Sequence, residues 1–227
     1  MIWPVLCFGF LLGIEHALEA DHVAAVASLA TRSKTMRGTV KVASFWGIGH
    51  AFTLFVFGAL LIALGASLPQ RLDRTFEFAV GLMLVFLGYD VLRRLRTKKL
   101  HLHVHEHDGG TRHLHAHAHE GEGEHARHDH GHGLRSMLVG SLHGLAGSAA
   151  LILLSLRTMH SGAQALLYLA VFGLGTILGM VLFAIAIFLP LRVSARQLDW
   201  TSRSLEAALG VTTLVLGGWI AIRVSLF

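Results

Sequence analysis

The chain has 227 residues, 53% of them hydrophobic, and a formal net charge of +5. Its apolar residues are gathered into blocks long enough to cross a bilayer, which takes about 20 residues, and this excludes an ordinary soluble domain. The single Cys7 cannot form an internal disulfide and reads as a small apolar residue before it reads as a soft metal ligand.

Six blocks are expected as membrane helices, at roughly 2–30, 42–66, 75–92, 135–156, 163–190 and 204–226. The first is not expected to be a cleaved signal peptide, because it starts without a basic residue, runs too long, and carries acids where cleavage would fall. With the amino terminus outside, 15 of the 19 Lys and Arg face the cytoplasm, leaving only Arg71, Arg74, Arg157 and Arg223 outside. That asymmetry is the positive-inside pattern. It predicts a multi-pass protein of the inner (plasma) membrane with both termini outside, and it accounts for the basic balance without a nucleic-acid partner.

The first block holds Glu15, His16, Glu19, Asp21 and His22 within eight residues. Ionisable groups at that depth cost kilocalories each and persist only when they line a polar cavity, pair, or hold a metal. On an ideal helix Glu15, His16, Glu19 and His22 share about 120° of arc and Asp21 points away. Either Asp21 supports the others from behind or the helix is interrupted here, as transporter helices are at ion sites. Imidazoles with a few carboxylates suit nickel, cobalt, zinc or copper better than calcium or magnesium. His50 in the second block and His143 in the fourth are further intramembrane imidazoles able to complete a shared site. Glu77 and Glu206 are expected in the first turns of their helices, where the macrodipole favours a carboxylate. His160 is expected in a short external loop.

Between the third and fourth blocks, residues 101–132 carry 12 of the 17 histidines: His101, His103, His105, His107, His113, His115, His117, His119, His125, His128, His130 and His132. Six acids and two arginines are interspersed. With little apolar surface to bury, the segment is expected to be disordered without ligand, and its composition is that of an auxiliary metal-binding tract. The charge count makes this loop cytoplasmic.

The two halves of the chain match. Gly13-Ile14-Glu15-His16-Ala17-Leu18 aligns with Gly140-Ser141-Leu142-His143-Gly144-Leu145, Gly47-Ile48-Gly49 with Gly173-Leu174-Gly175, and Arg74-Thr75-Phe76-Glu77 with Arg203-Ser204-Leu205-Glu206. Three helices per repeat invert the second copy relative to the first, a plan common among secondary transporters. The expected fold is an all-α integral membrane protein of six transmembrane helices in a 3+3 inverted repeat. Residues 1–95 form the first repeat, 96–133 the His-rich loop, and 134–227 the second repeat.

These residues resemble the nickel/cobalt transporter superfamily, in its smaller UreH-like and NicO-type branch. His16-Ala17-Leu18-Glu19-Ala20-Asp21-His22 looks like that family's HxxxxDH helix signature, and Phe45-Trp46-Gly47-Ile48-Gly49-His50 looks like its second signature. Glu15 stands where the larger permeases usually have a basic residue, and Glu19 for a usual Asp. His143-Gly144-Leu145-Ala146-Gly147-Ser148 occupies the place of their second-half acidic signature. The resemblance implies a carrier of Ni2+ or Co2+, the ion being cargo and no prosthetic group being required. It carries over most directly to His16, Asp21, His22 and His50.

No nucleotide-binding motif appears, so a secondary carrier is expected rather than an enzyme. His16, His22 and His50 would ligate, Glu19 and Glu15 would neutralise charge, and Asp21 would orient a ligand imidazole. Besides the ion and the lipid bilayer, cytoplasmic metallochaperones or urease/hydrogenase maturation proteins are expected partners. Efflux of the same ions is the alternative within the class; an intramembrane zinc-dependent hydrolase with Glu19 as base is the alternative outside it.

Overall fold

A computed structural model describes residues 3–33, 35–65, 68–97, 101–106, 112–117, 130–146, 159, 161–197 and 199–226. The first apolar block is not one helix. It forms α1 (Trp3–His16) and α2 (Ala20–Ala30), bent by 60° at the break between them. Then come α3 (Met36–Leu64), α4 (Gln70–Thr97), α5 (His130–His143), α6 (Gly162–Gln197) and α7 (Asp199–Leu226). Four helices are long and apolar enough to cross a membrane, and the bent α1–α2 pair adds a fifth candidate span. The continuation of the fourth block beyond residue 146, with His160, lies outside the described residues, so the six-helix count is not fixed by them.

Helix ends follow local chemistry. The Thr35 hydroxyl accepts the Gly38 N–H at 3.1 Å to cap α3, satisfying a donor the first turn leaves orphaned. At the other end Gly65 closes α3 in the left-handed region, φ 59°, where a residue without Cβ carries no steric penalty. The helix starts correct one expectation. Because α4 begins at Gln70 and α7 at Asp199, Glu77 and Glu206 lie beyond the first turns, and Asp73 occupies that position in α4. The polar residues that open these helices fall outside the apolar blocks, which hides the true starts.

Within the His-rich segment, β1 (His101–Glu106) and β2 (Arg112–His117) pair antiparallel, with His101 opposite His117, His103 opposite His115 and His105 opposite His113. His130 and His132 fall in the first turn of α5. His107, His119, His125 and His128 lie outside the described residues.

The helices pack through glycines that leave no room for a side chain. A Cβ on Gly13 would strike the Phe172 carbonyl of α6, and one on Gly175 the Phe10 carbonyl of α1. The α5–α3 contact repeats the arrangement: Gly140 faces the Trp46 carbonyl and Gly49 the Met137 carbonyl. Between α4 and α7, a Cβ on Gly81 would come within 2.9 Å of the Gly217 carbonyl oxygen and one on Gly88 within 2.7 Å of that of Gly210. Small residues of this kind are what allow membrane helices to pack backbone against backbone. Around these contacts Trp46, Leu84 and Met180 fill a core joining α2, α3, α4 and α6. A buried Ser28–Thr213 hydroxyl pair, 3.0 Å apart, ties α2 to α7.

Candidate metal centre

Three chain segments converge inside this bundle. His16 is the last residue of α1, His143 the last of α5, and His50 lies halfway along α3. His22 reaches the same point from the first turn of α2. The partial negative charge at the carboxyl ends of α1 and α5 favours a cation near them.

All four imidazoles are buried, none more than 5% exposed. Ring centroids lie 4.3 Å apart for His16–His22, 5.0 Å for His22–His50 and 4.1 Å for His22–His143. His16, His22 and His50 can each offer one ring nitrogen so that all three lie within 4.8 Å of one another. Asp21, His22 and His143 form a second such group, sharing His22 with the first.

The carboxylates stand behind the imidazoles. Glu19 caps the chain at the break, extended at φ −62° and ψ 149°, and its Oε1 lies 2.8 Å from His16 Nδ1. Asp21 Oδ1 lies 3.0 Å from His22 Nδ1, and Oδ2 lies 3.1 Å from His143 Nε2. In each pair the imidazole N–H donates to the carboxylate. That fixes Nδ1 of His16 and His22 as the protonated nitrogen and leaves each Nε2 as a lone-pair donor. Among the described residues, those two Nε2 atoms, both ring nitrogens of His50 and Nδ1 of His143 are buried without a hydrogen-bond partner. Buried polar atoms are rarely left so. Five in one cluster, four of them on the three imidazoles able to converge, is the arrangement a transition-metal ion would satisfy, with carboxylate–histidine pairs orienting the ligands.

The break between α1 and α2 is what makes this possible. An unbroken helix would turn Asp21 away from the other groups, whereas the extended residue Glu19 redirects the chain so that Asp21 bridges His22 and His143. Glu15 does not join the cluster: it is exposed and makes no side-chain hydrogen bond or ion pair among the described residues. Cys7 is likewise exposed on α1.

Trp46 belongs to the second signature without being a ligand candidate, and it forms one wall of the site. It is fully buried, with its ring 5.8 Å from that of His22 and 5.4 Å from that of His143. Its spacing of four from His50, which places both on one helix face, is the signal that points to it. Phe172 covers His16 from the other side at 5.5 Å.

Over 194 residues the chain is 38% identical to the urease accessory protein UreH of Bacillus sp. (strain TB-90), covering 86% of this chain and 80% of that protein. The chain belongs to the UreH family. It is thereby a member of the UreH-like, NicO-type branch of the nickel/cobalt transporter superfamily. It also matches, over residues 5–219, the family described as the cytochrome C biogenesis protein transmembrane region. The cobalt transport protein NhlF of Rhodococcus rhodochrous is 45% identical over 60 residues, 26% of this chain and 16% of that protein. Chloroplast protein FOR GROWTH AND FERTILITY 1 of Arabidopsis thaliana is 28% identical over 76% of this chain and 46% of its own length. No solved structure matches the chain.

Proposed function

We propose that the chain is a secondary carrier of divalent transition-metal ions, nickel or cobalt, which it binds between His16, His22 and His50 inside the membrane and passes to the cytoplasm. The observation that carries this reading is the set of unpartnered imidazole nitrogens converging in the buried interior of a membrane bundle. Imidazole suits nickel and cobalt, and three neutral ligands leave the ion's charge to be balanced by the Asp21 and Glu19 carboxylates behind them. The names of the relatives, a urease accessory protein and a cobalt transport protein, point the same way. The accessory role in the first name favours inward delivery, with metallochaperones or maturation proteins receiving the ion.

The 3+3 inverted repeat belongs to the same proposal. Gly13 aligns with Gly140 and Gly175 with Gly49 in the sequence match, and the four contacts Gly13–Phe172, Gly175–Phe10, Gly140–Trp46 and Gly49–Met137 follow that same correspondence. Gly81–Gly217 and Gly88–Gly210 exchange with each other under it. Such pseudo-symmetry suits alternating access and gives a hydrolase no advantage. The orientation, with both termini outside and the His-rich loop inside the cell as a weak, exchangeable ion buffer, rests on the basic-residue count.

The test is initial-rate uptake of radiolabelled nickel and cobalt into right-side-out vesicles, with and without an imposed proton gradient. Inward, saturable flux dependent on the chain is expected. Accumulation only in inverted vesicles would make it an exporter.

A further inference from the structure

A cavity of about 720 Å³ opens at the end of the bundle from which the His-rich segment departs, between α2, α3, α4 and α5. Four cationic side chains line it from four separate segments: Arg32 after α2, Lys41 on α3, Arg93 on α4 and Arg135 on α5. Among the described residues Asp90 is the one carboxylate in its wall. That carboxylate is already shared, its Oδ2 accepting from Arg32 Nη2 and from Arg94 Nε at 2.9 Å each. The half-buried Arg32 guanidinium has its pKa lowered by burial, with Asp90 opposing the shift. Among the described residues the cavity wall therefore carries a net positive charge, the wrong sign for a vestibule serving a divalent cation and the right one for an anion.

Besides the hydroxyls of Ser33, Thr35 and Ser136, the rest of the wall is apolar. Phe86 on α4 and Leu138 on α5 both line the cavity while being 64% and 57% exposed on the outer surface of the bundle. A soluble anion would gain nothing from an apolar side opening. A lipid would lay its acyl chains there with its phosphate among the basic groups. Basic pockets between membrane helices at the surface of the bilayer bind anionic headgroups in this way, and the volume is that of a small-ligand site.

We propose that this cavity is a binding site for the phosphate headgroup of an anionic phospholipid, held by Arg32, Lys41, Arg93 and Arg135. It rests on the membrane fold alone and stands whatever ion the imidazole site carries.

The experiment is native mass spectrometry of the detergent-purified full-length chain titrated with dioleoyl phosphatidylglycerol, dioleoyl phosphatidylcholine or inorganic phosphate. Retained phosphatidylglycerol adducts are expected, with phosphatidylcholine and phosphate held much more weakly. Arg93→Gln and Arg135→Gln should each weaken phosphatidylglycerol binding about fivefold, and Arg71→Gln, at the opposite end of the bundle, should leave it unchanged. Leu138→Trp fills the lateral opening without touching a charge and should also weaken it, which guards against arginine variants that fail to fold. Equal retention of phosphatidylcholine, equal retention in the folded arginine variants, or competition by inorganic phosphate at equal concentration would overturn the assignment.

Discussion

Asp21 and His143, 122 residues apart in the chain, are joined by a 3.1 Å hydrogen bond from the imidazole Nε2 to the carboxylate Oδ2. The other oxygen of Asp21 holds His22. One carboxylate thus sets the tautomers of two imidazoles from different halves of the protein, and this makes it more than a spectator behind the ligands.

Asp21→Asn tests that arrangement. An amide offers one acceptor and one donor, so it can satisfy His22 or His143 but meets the other with N–H against N–H. If His22 reverses its tautomer, its Nε2 becomes protonated and cannot ligate. Nickel affinity measured by calorimetry on purified protein should fall about 10–100-fold, with the fold intact by circular dichroism. An affinity equal to that of the unaltered chain would show that Asp21 does not orient the site.

The imidazoles themselves should matter more. His16→Ala, His22→Ala and His50→Ala should each abolish transport without loss of folded protein, since each removes a ligand that offsets dehydration of the ion. His143→Ala should be milder, because His143 lies outside the His16–His22–His50 group and its hydrogen bond is to Asp21. Binding should also weaken toward acid pH. Protons compete with the ion for the same lone pairs, so the loss runs toward acid. Binding that strengthens in acid would contradict an imidazole site.

The glycine contacts predict paired effects on stability. Gly140→Ala and Gly13→Ala place a Cβ against the carbonyls of Trp46 and Phe172, and each should cost about 1–3 kcal/mol through forced helix separation. Gly218 serves as the control, because a Cβ there would meet no atom within 4 Å. Gly218→Ala should be neutral or stabilising by up to about 1 kcal/mol from helix propensity. Thermal unfolding in detergent distinguishes these outcomes.

Much of the candidate site is readable from the chain because charge inside an apolar block has few explanations: His16, Glu19, Asp21, His22, His50 and His143 all meet in the fold. The break after His16 is only half legible, since the helical angle shows that Asp21 is misplaced on a regular helix without saying where the chain bends. Which helices pair is not legible. Glycine tolerates close approach to any neighbour, so Gly13 and Gly175 announce tight packing without naming the partner. Asp90 gives no signal of its own, because a single acid beside Arg93 and Arg94 reads as a solvated helix end, whereas it also pairs with Arg32 from 58 residues away.

The division of labour between the two histidine-rich regions is testable by deletion. Because α5 begins at His130, the excision should span residues 101–129 and spare His130 and His132. With a Gly/Ser bridge, transport and its preference for nickel over zinc should remain measurable while the number of ions bound at equilibrium falls. A folded, inserted deletion variant without any transport would make the segment part of the pathway.

Whether imidazoles within the membrane hold the ion directly is read by nickel-edge X-ray absorption on this deletion variant, loaded with one equivalent of nickel and free of interference from the loop. A first shell containing three imidazole nitrogens is expected, converted to a different spectrum by His22→Ala. An all-oxygen shell, or a spectrum that His22→Ala leaves unchanged, would contradict it.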